Sequence, residues 1–491
     1  MKPNFETIIG LEVHAELETR SKMFCGCPVV DSTEAKPNIA VCPVCAGMPG
    51  SLPVVNQQAV EYALKVALAL ECQINNTSIF ARKNYFYPDL PKGYQISQYE
   101  SPLAHHGHLK IRTQSGEKNI RIRRVHMEED TGKLTHIPPN NGKPGYSLID
   151  LNRAGVPLLE IVSEPDIRSA EEARSYAVTL RTLLRYLGVN SGDMQKGVIR
   201  IEPNVSIRPI GSSEFYTRTE IKNLNSFRAL ERAVAYEIQR QQNLFRQGKT
   251  IVQQTMGWDE SHQKTFPQRT KEEEEDYRYF PEPDIPPLVI EDEWIERIRA
   301  ALPELPAAKY KRFIKTYRLS SDDADLLISA QSISNYFEST VSTCPDIPPR
   351  TVANWITGEL FGLINQRNIT FEDIKILPRE LSALLSLLHH GEINTNTAKA
   401  VLTEMFETGN DPKTIVSKSG LNQISNIAQI AKIIHDVIAA NPKELETYLN
   451  GKETVSQWFF GQVMRGTGGK ANPKIVKAEL NRQLLELKRK Q

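Results

Sequence analysis

The pattern of apolar residues changes once along this chain of 491 residues, and that change limits the fold more than any other feature. Before about Trp294, short segments alternate apolar and polar residues, as in Ile120–Val125, which is typical of half-buried strands. After it, helix-length segments are separated by Asn, Gly and Pro to the end of the chain. The sequence therefore predicts an α+β protein, with a strand-rich domain built on a mixed or antiparallel sheet and two small all-α domains after it.

Two breaks in the pattern predict the domain boundaries. The proline-rich segment Pro281–Pro287 cannot continue regular structure, so we expect the first domain to cover residues 1–294. The turn at Asn410–Pro412 separates the two helical domains, for which we expect residues 295–410 and 411–491.

Four of the six cysteines form two close pairs. One residue separates Cys25 from Cys27, and two residues separate Cys42 from Cys45. Two such pairs across a short loop are typical of a structural zinc site with four thiolate ligands, and ordinary reduced thiols are the alternative. The N-terminus has no signal-peptide pattern and no apolar run reaches membrane-spanning length, so we expect a cytoplasmic protein with reduced thiols and no membrane partner.

Polar residues at alternate positions of two predicted strands indicate a second kind of metal site. Glu12 and His14 are two residues apart and therefore share a strand face, and His126 and Glu128 do the same, with Glu129 next to them. Carboxylates with few imidazoles suit a hard cation that keeps several waters and contacts phosphate. The pattern predicts a Mg²⁺ site with Glu12, His14, Glu128 and Glu129 as ligands, against the alternative of solvated strand faces.

A further polar set, Asp150, Asn152 and Arg153, adds a carboxylate, an amide and a guanidinium to the predicted catalytic residues. Arg153 could neutralise a phosphate through two parallel hydrogen bonds. The chain has no G-x-x-x-x-G-K-[ST] loop, no G-x-G-x-x-G, no H-E-x-x-H and no G-x-S-x-G. The predicted chemistry is thus phosphoryl transfer without the common nucleotide-loop signatures.

The segment Arg82–Tyr94 interleaves aromatic rings with cations, which suits a nucleotide or unstacked RNA bases. An aromatic mini-core under a loop is the alternative. The polar segment Glu220–Ser226 either lines a polar cleft or forms a turn before a helix capped by Asn225 or Ser226. The predicted binding residues of these two segments are Arg82, Lys83, Tyr85, Tyr87, Lys92, Tyr94, Lys222 and Asn223.

The C-terminal end is basic although the formal net charge of the chain is only +1. From Gly461 to Gln491 there are eight Lys or Arg against two Glu. This surplus favours a polyanion such as RNA, and a solubilising helix end is the alternative. The predicted RNA contacts are Arg465, Lys470, Lys474 and Lys477.

Several long motifs resemble those of the B-subunit family of bacterial glutamyl/aspartyl-tRNA amidotransferases. They follow one another in order along the chain from about Phe5 to Glu486: Gly10–His14, Cys42–Cys45, Arg82–Gln98, Asp150–Pro157, Asp276–Asp284 and Gly461–Pro473. The chain departs from the family pattern at Glu202, which stands where Asp is usual, and at Met256, which stands where Arg is usual.

The resemblance implies a ligase that forms C–N bonds with glutamine as the amido donor. In this family the B subunit works with an amidase A subunit, which releases ammonia from glutamine, and a small C subunit. It uses ATP and Mg²⁺ to phosphorylate the side-chain carboxylate of Glu-tRNA(Gln) or Asp-tRNA(Asn), and ammonia then displaces phosphate to give Gln-tRNA(Gln) or Asn-tRNA(Asn). The aromatic and basic segments would bind ATP or the tRNA acceptor end, and the basic tail the tRNA body. The alternatives are a non-catalytic tRNA-binding scaffold and a metal-dependent nucleic-acid hydrolase.

Overall fold

The protein is described from a computed structural model, which covers residues 5–139, 144–270, 277–418, 427–467, 471 and 473–489. The chain separates into two compact units, Met1–Ala307 and Ala308–Gln491. The finer division into three domains stays a prediction. Within the described residues, no helix is both long and apolar enough to cross a lipid bilayer.

The first unit contains the strands. Their bounds are β1 Phe5–Glu16, β2 Gln73–Ile74, β3 Thr77–Ser78, β4 Ala81–Asn84, β5 Tyr94–Ser97, β6 Ala104–Thr113, β7 Gly116–Glu129, β8 Lys133–Ile137, β9 Tyr146–Asp150, β10 Pro157–Ser163, β11 Ile199–Pro209, β12 Thr219–Lys222, β13 Gln254–Asp259, β14 Lys264–Thr270, β15 Phe280–Pro281 and β16 Leu288–Val289.

One large sheet organises this unit. In the described part of the chain it has nine strands in the order β14-β13-β12-β11-β1-β10-β7-β6-β2. Neighbouring strands are antiparallel except β12 and β13, which are parallel. β4 pairs with β5 and β15 in a small separate sheet, β3 pairs with β16, and β8 pairs with β9. The predicted mixed or antiparallel sheet is confirmed.

Helices cover one face of the large sheet. They are α1 Gln57–Ala69, α2 Ala170–Tyr186 and α3 Phe227–Arg246, and α4 Asp292–Ala300 packs against α1. Alternate residues of β1, including Leu11 and Val13, are fully buried in the core that these helices form with the sheet. Because side chains alternate along a strand, the residues between them point to the opposite face of the sheet.

The starts of α1, α2 and α3 follow from their capping residues. The side chain of Asn56 accepts hydrogen bonds from two backbone amides of α1, and Ser169 and Ser226 each accept one from α2 and α3. Gly188, just beyond α2, has a φ of +64°, which suits glycine at a helix end. Of the two caps that the sequence offers for α3, Ser226 rather than Asn225 is the one that the structure shows.

The remaining elements in the described part of the chain are helical, as the sequence predicts. They are α5 Pro306–Tyr317, α6 Ser321–Leu327, α7 Gln331–Thr343, α8 Pro349–Asn354, a π-helix Trp355–Leu360, α9 Phe361–Arg367, a 3₁₀ turn Phe371–Asp373, α10 Pro378–His389, α11 Thr395–Thr408, α12 Pro412–Lys418, α13 Ile427–Ala439, α14 Pro442–Leu449, α15 Val455–Gly466 and α16 Pro473–Arg489. They form two apolar cores, one among residues 313–416 and one among residues 430–484. The predicted fold class is confirmed.

Candidate active site

A cleft of about 1010 Å³ lies in the first unit, over the face of the large sheet opposite α1, α2 and α3. Glu12 and His14 both line it. Leu11 and Val13, which alternate with them along β1, point into the core. The prediction that Glu12 and His14 share a strand face is therefore confirmed. Cations and aromatic rings line the cleft as well: Lys83, Arg123, Arg124, Arg153, Arg200, Arg218, Lys222, Tyr85, Phe86, Tyr87, Tyr99, Tyr277 and Tyr279.

Strand register assembles a first cluster of metal-ligand type around His14. His14 lies opposite Glu160 of β10, and Glu160 lies opposite His126 of β7. A carboxylate oxygen of Glu160 is 3.4 Å from Nε2 of His14 and 3.1 Å from Nε2 of His126. Glu128 completes the set, and His14, Glu128 and Glu160 offer ligand atoms that all lie within 4.8 Å of one another. We call these three residues the His14 cluster.

The buried charges of the His14 cluster stabilise one another. Burial disfavours charge on His14, but its hydrogen bond to Glu160 and the nearby carboxylates raise the pKa of His14 to about 9. Burial is likewise outweighed at Glu160, where His126 and His14 hold the pKa of the carboxyl well below its usual value. Two carboxylates and an imidazole in this geometry fit a divalent cation.

A second cluster surrounds Glu12. Glu12 lies opposite Glu202 of β11, and Glu220 of β12 lies opposite Asn204, two residues further along β11. Glu12, Glu202 and Glu220 offer oxygens within 4.8 Å of one another, and we call them the Glu12 cluster. Burial, followed by repulsion from neighbouring carboxylates, raises the pKa of Glu12. Lys222 lies 3.0 Å from Glu202 and 3.4 Å from Glu220, so three carboxylates and one ammonium leave a charge that a divalent cation balances.

Glu129, the fourth predicted Mg²⁺ ligand, is not in either cluster. Alternation along β7 directs Glu128 into the cleft and Glu129 to the other side of the strand. There Glu129 accepts a hydrogen bond of 2.9 Å from the amide of Ile96 and forms an ion pair with Lys92. Of the four predicted ligands, His14 and Glu128 thus lie in the His14 cluster, Glu12 lies in the Glu12 cluster, and Glu129 lies in neither.

Asp150 and Asn152 lie outside the cleft lining and hold a neighbouring loop. Asp150 accepts a hydrogen bond of 2.9 Å from the amide of Asn38. Asn152 is fully buried, accepts one of 3.0 Å from the amide of Ala40 and donates one of 2.8 Å to the carbonyl of Lys36. Their predicted catalytic role stays untested, and these contacts give them a supporting one.

Two arginines of the cleft lining approach the same carboxylate, that of Asp130. Arg153 donates hydrogen bonds to the carbonyls of Thr131 and Gly132, at 3.1 and 2.7 Å. Arg200 donates one of 2.8 Å to Asp130. Although burial opposes charge on Asp130, Arg200 and Arg153 lower its pKa to about 2. Because Asp130 already orients the guanidinium of Arg200, Arg200 can bind a phosphate with little further loss of side-chain entropy.

Arg82 and Tyr94 form an anchored pair outside the cleft lining. Nε and one terminal nitrogen of Arg82 each donate a hydrogen bond of 2.7 Å to the buried carboxylate of Glu282. The guanidinium also lies 3.0 Å from Asp284 and 4.2 Å from the centroid of the Tyr94 ring. The contacts of Arg82 therefore fasten residues 280–284 to β4.

Four tyrosines of the cleft lining contact one another in a row, and we call them the aromatic wall: Tyr85, Tyr277, Tyr279 and Tyr99. Lys83 lies 4.9 Å above the ring of Tyr277 and 5.9 Å from that of Tyr85. Tyr279 stacks on Tyr99 with ring centroids 4.1 Å apart. Among the predicted binding residues of the segment Arg82–Tyr94, Lys83, Tyr85 and Tyr87 line the cleft.

The predicted polar segment Glu220–Ser226 begins in β12, and its residues have two different positions. Lys222 lines the cleft. Asn223 is exposed, has a φ of +65° and lies in the turn before the helix capped by Ser226, outside the cleft lining. Both interpretations of this segment thus apply, each to a different residue.

A smaller pocket of about 250 Å³ adjoins the cleft. The two share Glu12, Arg123, Val162, Asn204 and Arg218. Beyond these shared residues its lining includes Ile8, Pro165, Phe215 and Tyr216. An apolar pocket that opens beside cations and carboxylates suits a nucleotide, with the base inside and the phosphates in the cleft.

The four predicted zinc ligands come together. Cys25, Cys27, Cys42 and Cys45 offer sulfur atoms that all lie within 4.8 Å of one another, and we call them the cysteine cluster. A hydrogen bond from Cys25, together with the amide of Cys42 and the charge of Lys22, lowers the pKa of Cys45 to about 4 against the effect of burial. Four sulfurs at this spacing fit a tetrahedral zinc ion.

The predicted RNA-binding residues of the tail are described in part. Arg465 of α15 and Lys477 of α16 are exposed, and Arg465 lies at a surface pocket of about 460 Å³. Lys470 lies outside the described residues, as does the side chain of Lys474. Arg482 is held by Glu479 and Glu486.

Several cleft residues are not among the site residues that the sequence predicts. Glu160 stands in the mostly apolar β10, and Arg200 and Glu202 stand in β11, outside the predicted catalytic and binding residues. Glu220 lies in the predicted polar segment but is not among its predicted binding residues. The available signal is a charged residue among apolar neighbours on a predicted strand. Only the strand register shows that these residues meet.

The fold and the cleft define a class: an α+β protein whose sheet carries helices on one face and, on the other, acidic clusters and cations that suit metal-bound phosphate. Comparison with protein families is more specific. The family model described as the GatB/GatE catalytic domain matches residues 7–296, and a model described as the GatB domain matches residues 335–484. The chain therefore belongs to the GatB family.

Curated relatives agree over almost the whole length. A protein of Moorella thermoacetica is 52% identical over 480 residues, 98% of this chain and 100% of its own. Proteins of Thermodesulfovibrio yellowstonii and Persephonella marina are 51% and 49% identical, each over 96% of this chain and 98% of their own length. All three are named as the B subunit of an aspartyl/glutamyl-tRNA(Asn/Gln) amidotransferase.

Proposed function

We propose that this chain is the B subunit of a glutamine-dependent tRNA amidotransferase and that it activates its substrate in the cleft over the sheet. Family membership and relatives about half identical over nearly full length support the activity. The single observation that carries the assignment to the cleft is the register of β12, β11, β1, β10 and β7, which gathers two acidic clusters on one face.

The substrate chemistry explains why such a cleft is needed. A carboxylate is a poor acyl donor because oxide is not a viable leaving group. A carboxylate oxygen of Glu-tRNA(Gln) or Asp-tRNA(Asn) attacks the γ-phosphorus of ATP, and ADP leaves. Ammonia then attacks the carbonyl carbon of the acyl phosphate, phosphate leaves and a proton is lost, giving the amide. We propose that ammonia comes from glutamine through an amidase A subunit, in a complex with a small C subunit.

Both acidic clusters fit Mg²⁺. The residues that would hold it are His14, Glu128 and Glu160 in one cluster and Glu12, Glu202 and Glu220 in the other. Bound Mg²⁺ would supply neutralisation of the charge on the phosphoryl oxygens, which is the main requirement of phosphoryl transfer. This revises the predicted ligand set by replacing Glu129 with three carboxylates from β10, β11 and β12.

The neighbouring groups of the chain supply binding and orientation. The smaller pocket would take the base of ATP, since it shares Glu12 and Arg218 with the cleft and has Phe215 at its wall. Arg200, fixed by Asp130, would bind phosphate oxygens. The aromatic wall, with Lys83 and Tyr85, would receive the aminoacylated end of the tRNA, because rings stack on unpaired bases.

A set of matched variants tests the role of the clusters. Glu160→Gln and Glu202→Gln each remove one negative charge, and Glu117→Gln removes one from an exposed ion pair with Lys110 on the same sheet. In the complex with A and C subunits, we expect both cluster variants to lower tRNA-dependent phosphate transfer from ATP by about 100-fold or more, and Glu117→Gln to leave it unchanged. Unchanged transfer in both cluster variants would favour a scaffold role, and tRNA cleavage without ATP a hydrolase.

The smaller pocket has its own test. Arg218→Ala should raise the KM for ATP about tenfold, because it removes a charged hydrogen-bond donor, and leave the affinity for tRNA unchanged. Arg121→Ala is the control, since Arg121 is exposed and its guanidinium pairs with Asp166. An unchanged KM for ATP in Arg218→Ala would exclude the pocket as the nucleotide site.

A further inference from the structure

Lys22 is fully buried, which is unusual for a lysine. Its ammonium donates to three acceptors: the carbonyl of Ala40 at 2.7 Å, the carbonyl of Leu151 at 3.2 Å and the sulfur of Cys45 at 3.6 Å. An ammonium has three donors, so all of them are used. Because a buried charge without partners is strongly unfavourable, these three contacts keep their segments together.

The three acceptors belong to two segments of the first unit, Ala40–Cys45 and Leu151–Gly155. Cys45 is in the cysteine cluster, and Ala40 is in the loop that Asp150 and Asn152 hold. Leu151 begins the segment Leu151–Gly155, which carries Arg153 into the cleft. Lys22 is therefore a direct link between a candidate zinc ligand and a cleft wall.

Gly155 shows how closely these parts approach. Its φ is +83°, and a Cβ at this position would lie 3.5 Å from Cβ of Cys45 and 3.6 Å from Cδ of Lys22. The amide of Met23, next to Lys22, donates a hydrogen bond of 2.7 Å to the carbonyl of Gly155. Both ends of Leu151–Gly155 thus contact the residues that surround the cysteine cluster.

The positive charge of Lys22 would favour zinc binding in the cysteine cluster. Four thiolates around a divalent zinc ion carry a net charge of about −2, which a buried ammonium beside one sulfur partly balances. Groups that hydrogen-bond to metal ligands orient them and raise metal affinity. Zinc in the cysteine cluster would also hold Cys45 against Lys22 and so keep the Leu151 carbonyl in place.

We propose that Lys22 is a positioning residue that couples zinc binding in the cysteine cluster to the conformation of Leu151–Gly155, and through it to Arg153 in the cleft. The proposal rests on the proposed function only where it gives Arg153 a role in the cleft. Its test therefore reads zinc affinity and backbone exchange, which stay informative even if the proposed phosphoryl transfer is wrong.

The first measurement is zinc affinity of the full chain, by competition with a chromophoric chelator. Lys22→Met keeps the length of the side chain and removes the charge. Lys133→Met is the matched control, because Lys133 donates to the carbonyl of Ser32 in the same region rather than to a cysteine. We expect Lys22→Met to lower zinc affinity about 10- to 100-fold and the control to stay within about twofold. Equal affinity in Lys22→Met and wild type would overturn the proposal.

The second measurement is amide hydrogen exchange in peptides that cover Leu151–Gly155. Removal of zinc from the wild type should speed exchange there and leave exchange in α2 unchanged. In Lys22→Met, exchange of this segment should already be fast and should not respond to zinc. Wild-type exchange that does not respond to zinc would refute the coupling, and this arm remains decisive if Lys22→Met fails to fold, which fast exchange in α2 would reveal.

Discussion

The ion pair between Arg82 and Glu282 gives a prediction that separates anchoring from substrate binding. The carboxylate of Glu282 is fully buried and accepts two hydrogen bonds of 2.7 Å from Arg82, whose side chain is 19% exposed. Removing one partner of a buried pair costs about 3–5 kcal/mol, because the other charge is left without its partner. Arg82 would keep Asp284 at 3.0 Å and some contact with water, so we expect Glu282→Ala to destabilise the first unit by about 3 kcal/mol.

The assay is urea unfolding of the full chain, followed by hydrogen exchange in peptides of β4 and β10 so that the first unit is observed by itself. Asp284→Ala is the matched control. Its carboxylate is 38% exposed, and exposed pairs contribute about 1 kcal/mol or less. We expect Glu282→Ala to lower the free energy of unfolding of this unit and the control to shift it by less than about 1 kcal/mol.

The same variants test the sequence-based assignment of Arg82 to substrate binding. If Arg82 only anchors residues 280–284, Arg82→Gln should lower stability as Glu282→Ala does, and the KM for ATP and the affinity for tRNA should stay unchanged in the folded protein. Stability of Glu282→Ala within about 0.5 kcal/mol of wild type would refute the anchoring role. A large loss of substrate affinity at full stability in Arg82→Gln would return Arg82 to the binding site.

Two further predictions concern pH and tRNA. In metal-free protein with a chelator present, the rise in the pKa of His14 from 6.5 to about 9 stabilises the fold fully below pH 6.5, and this contribution, at most roughly 3 kcal/mol, is lost as pH rises through 9. Thermal denaturation from about pH 6 to about pH 10 should show this loss, and Glu160→Gln should flatten the curve; an equally steep curve in the variant would contradict it. Arg465→Ala and Lys477→Ala should each weaken tRNA binding and reduce the slope of log affinity against log salt by about 0.7 to 1, whereas Arg482→Ala, whose guanidinium is ion-paired, should change it less.

Local features of the fold are predictable because they depend on neighbouring residues. The alternation of Ile120 and Ile122 with arginines specifies a strand, and Ser169 before an apolar 3.6-residue period specifies the start of α2. The close cysteine pairs likewise predict the cysteine cluster that the structure contains. In each case the relevant contacts span few residues, so the sequence contains most of the information.

The candidate site depends on contacts between distant strands, which the sequence pattern does not specify. Glu160 meets His14 only because β10 pairs with β1 in one register, and a shift by one residue would turn it away. Asn152 resembles a site residue because it is polar, but its partners are backbone groups of residues 36–40, more than a hundred positions earlier. Glu128 and Glu129 are adjacent on a strand, so their side chains point to opposite faces and cannot both bind one metal ion from the same face.

If the cleft acts as proposed, it converts the side-chain carboxylate of a tRNA-bound amino acid into an acyl phosphate. The most direct measurement is trapping with hydroxylamine: the complex is given Glu-tRNA(Gln) or Asp-tRNA(Asn) and ATP without glutamine, and the side-chain hydroxamate on the tRNA is quantified. We expect a hydroxamate that requires ATP and falls about 100-fold or more in Glu160→Gln but not in Glu117→Gln. Formation of Gln-tRNA or Asn-tRNA from ammonia without ATP, with no hydroxamate trapped when ATP is present, would contradict this activation step.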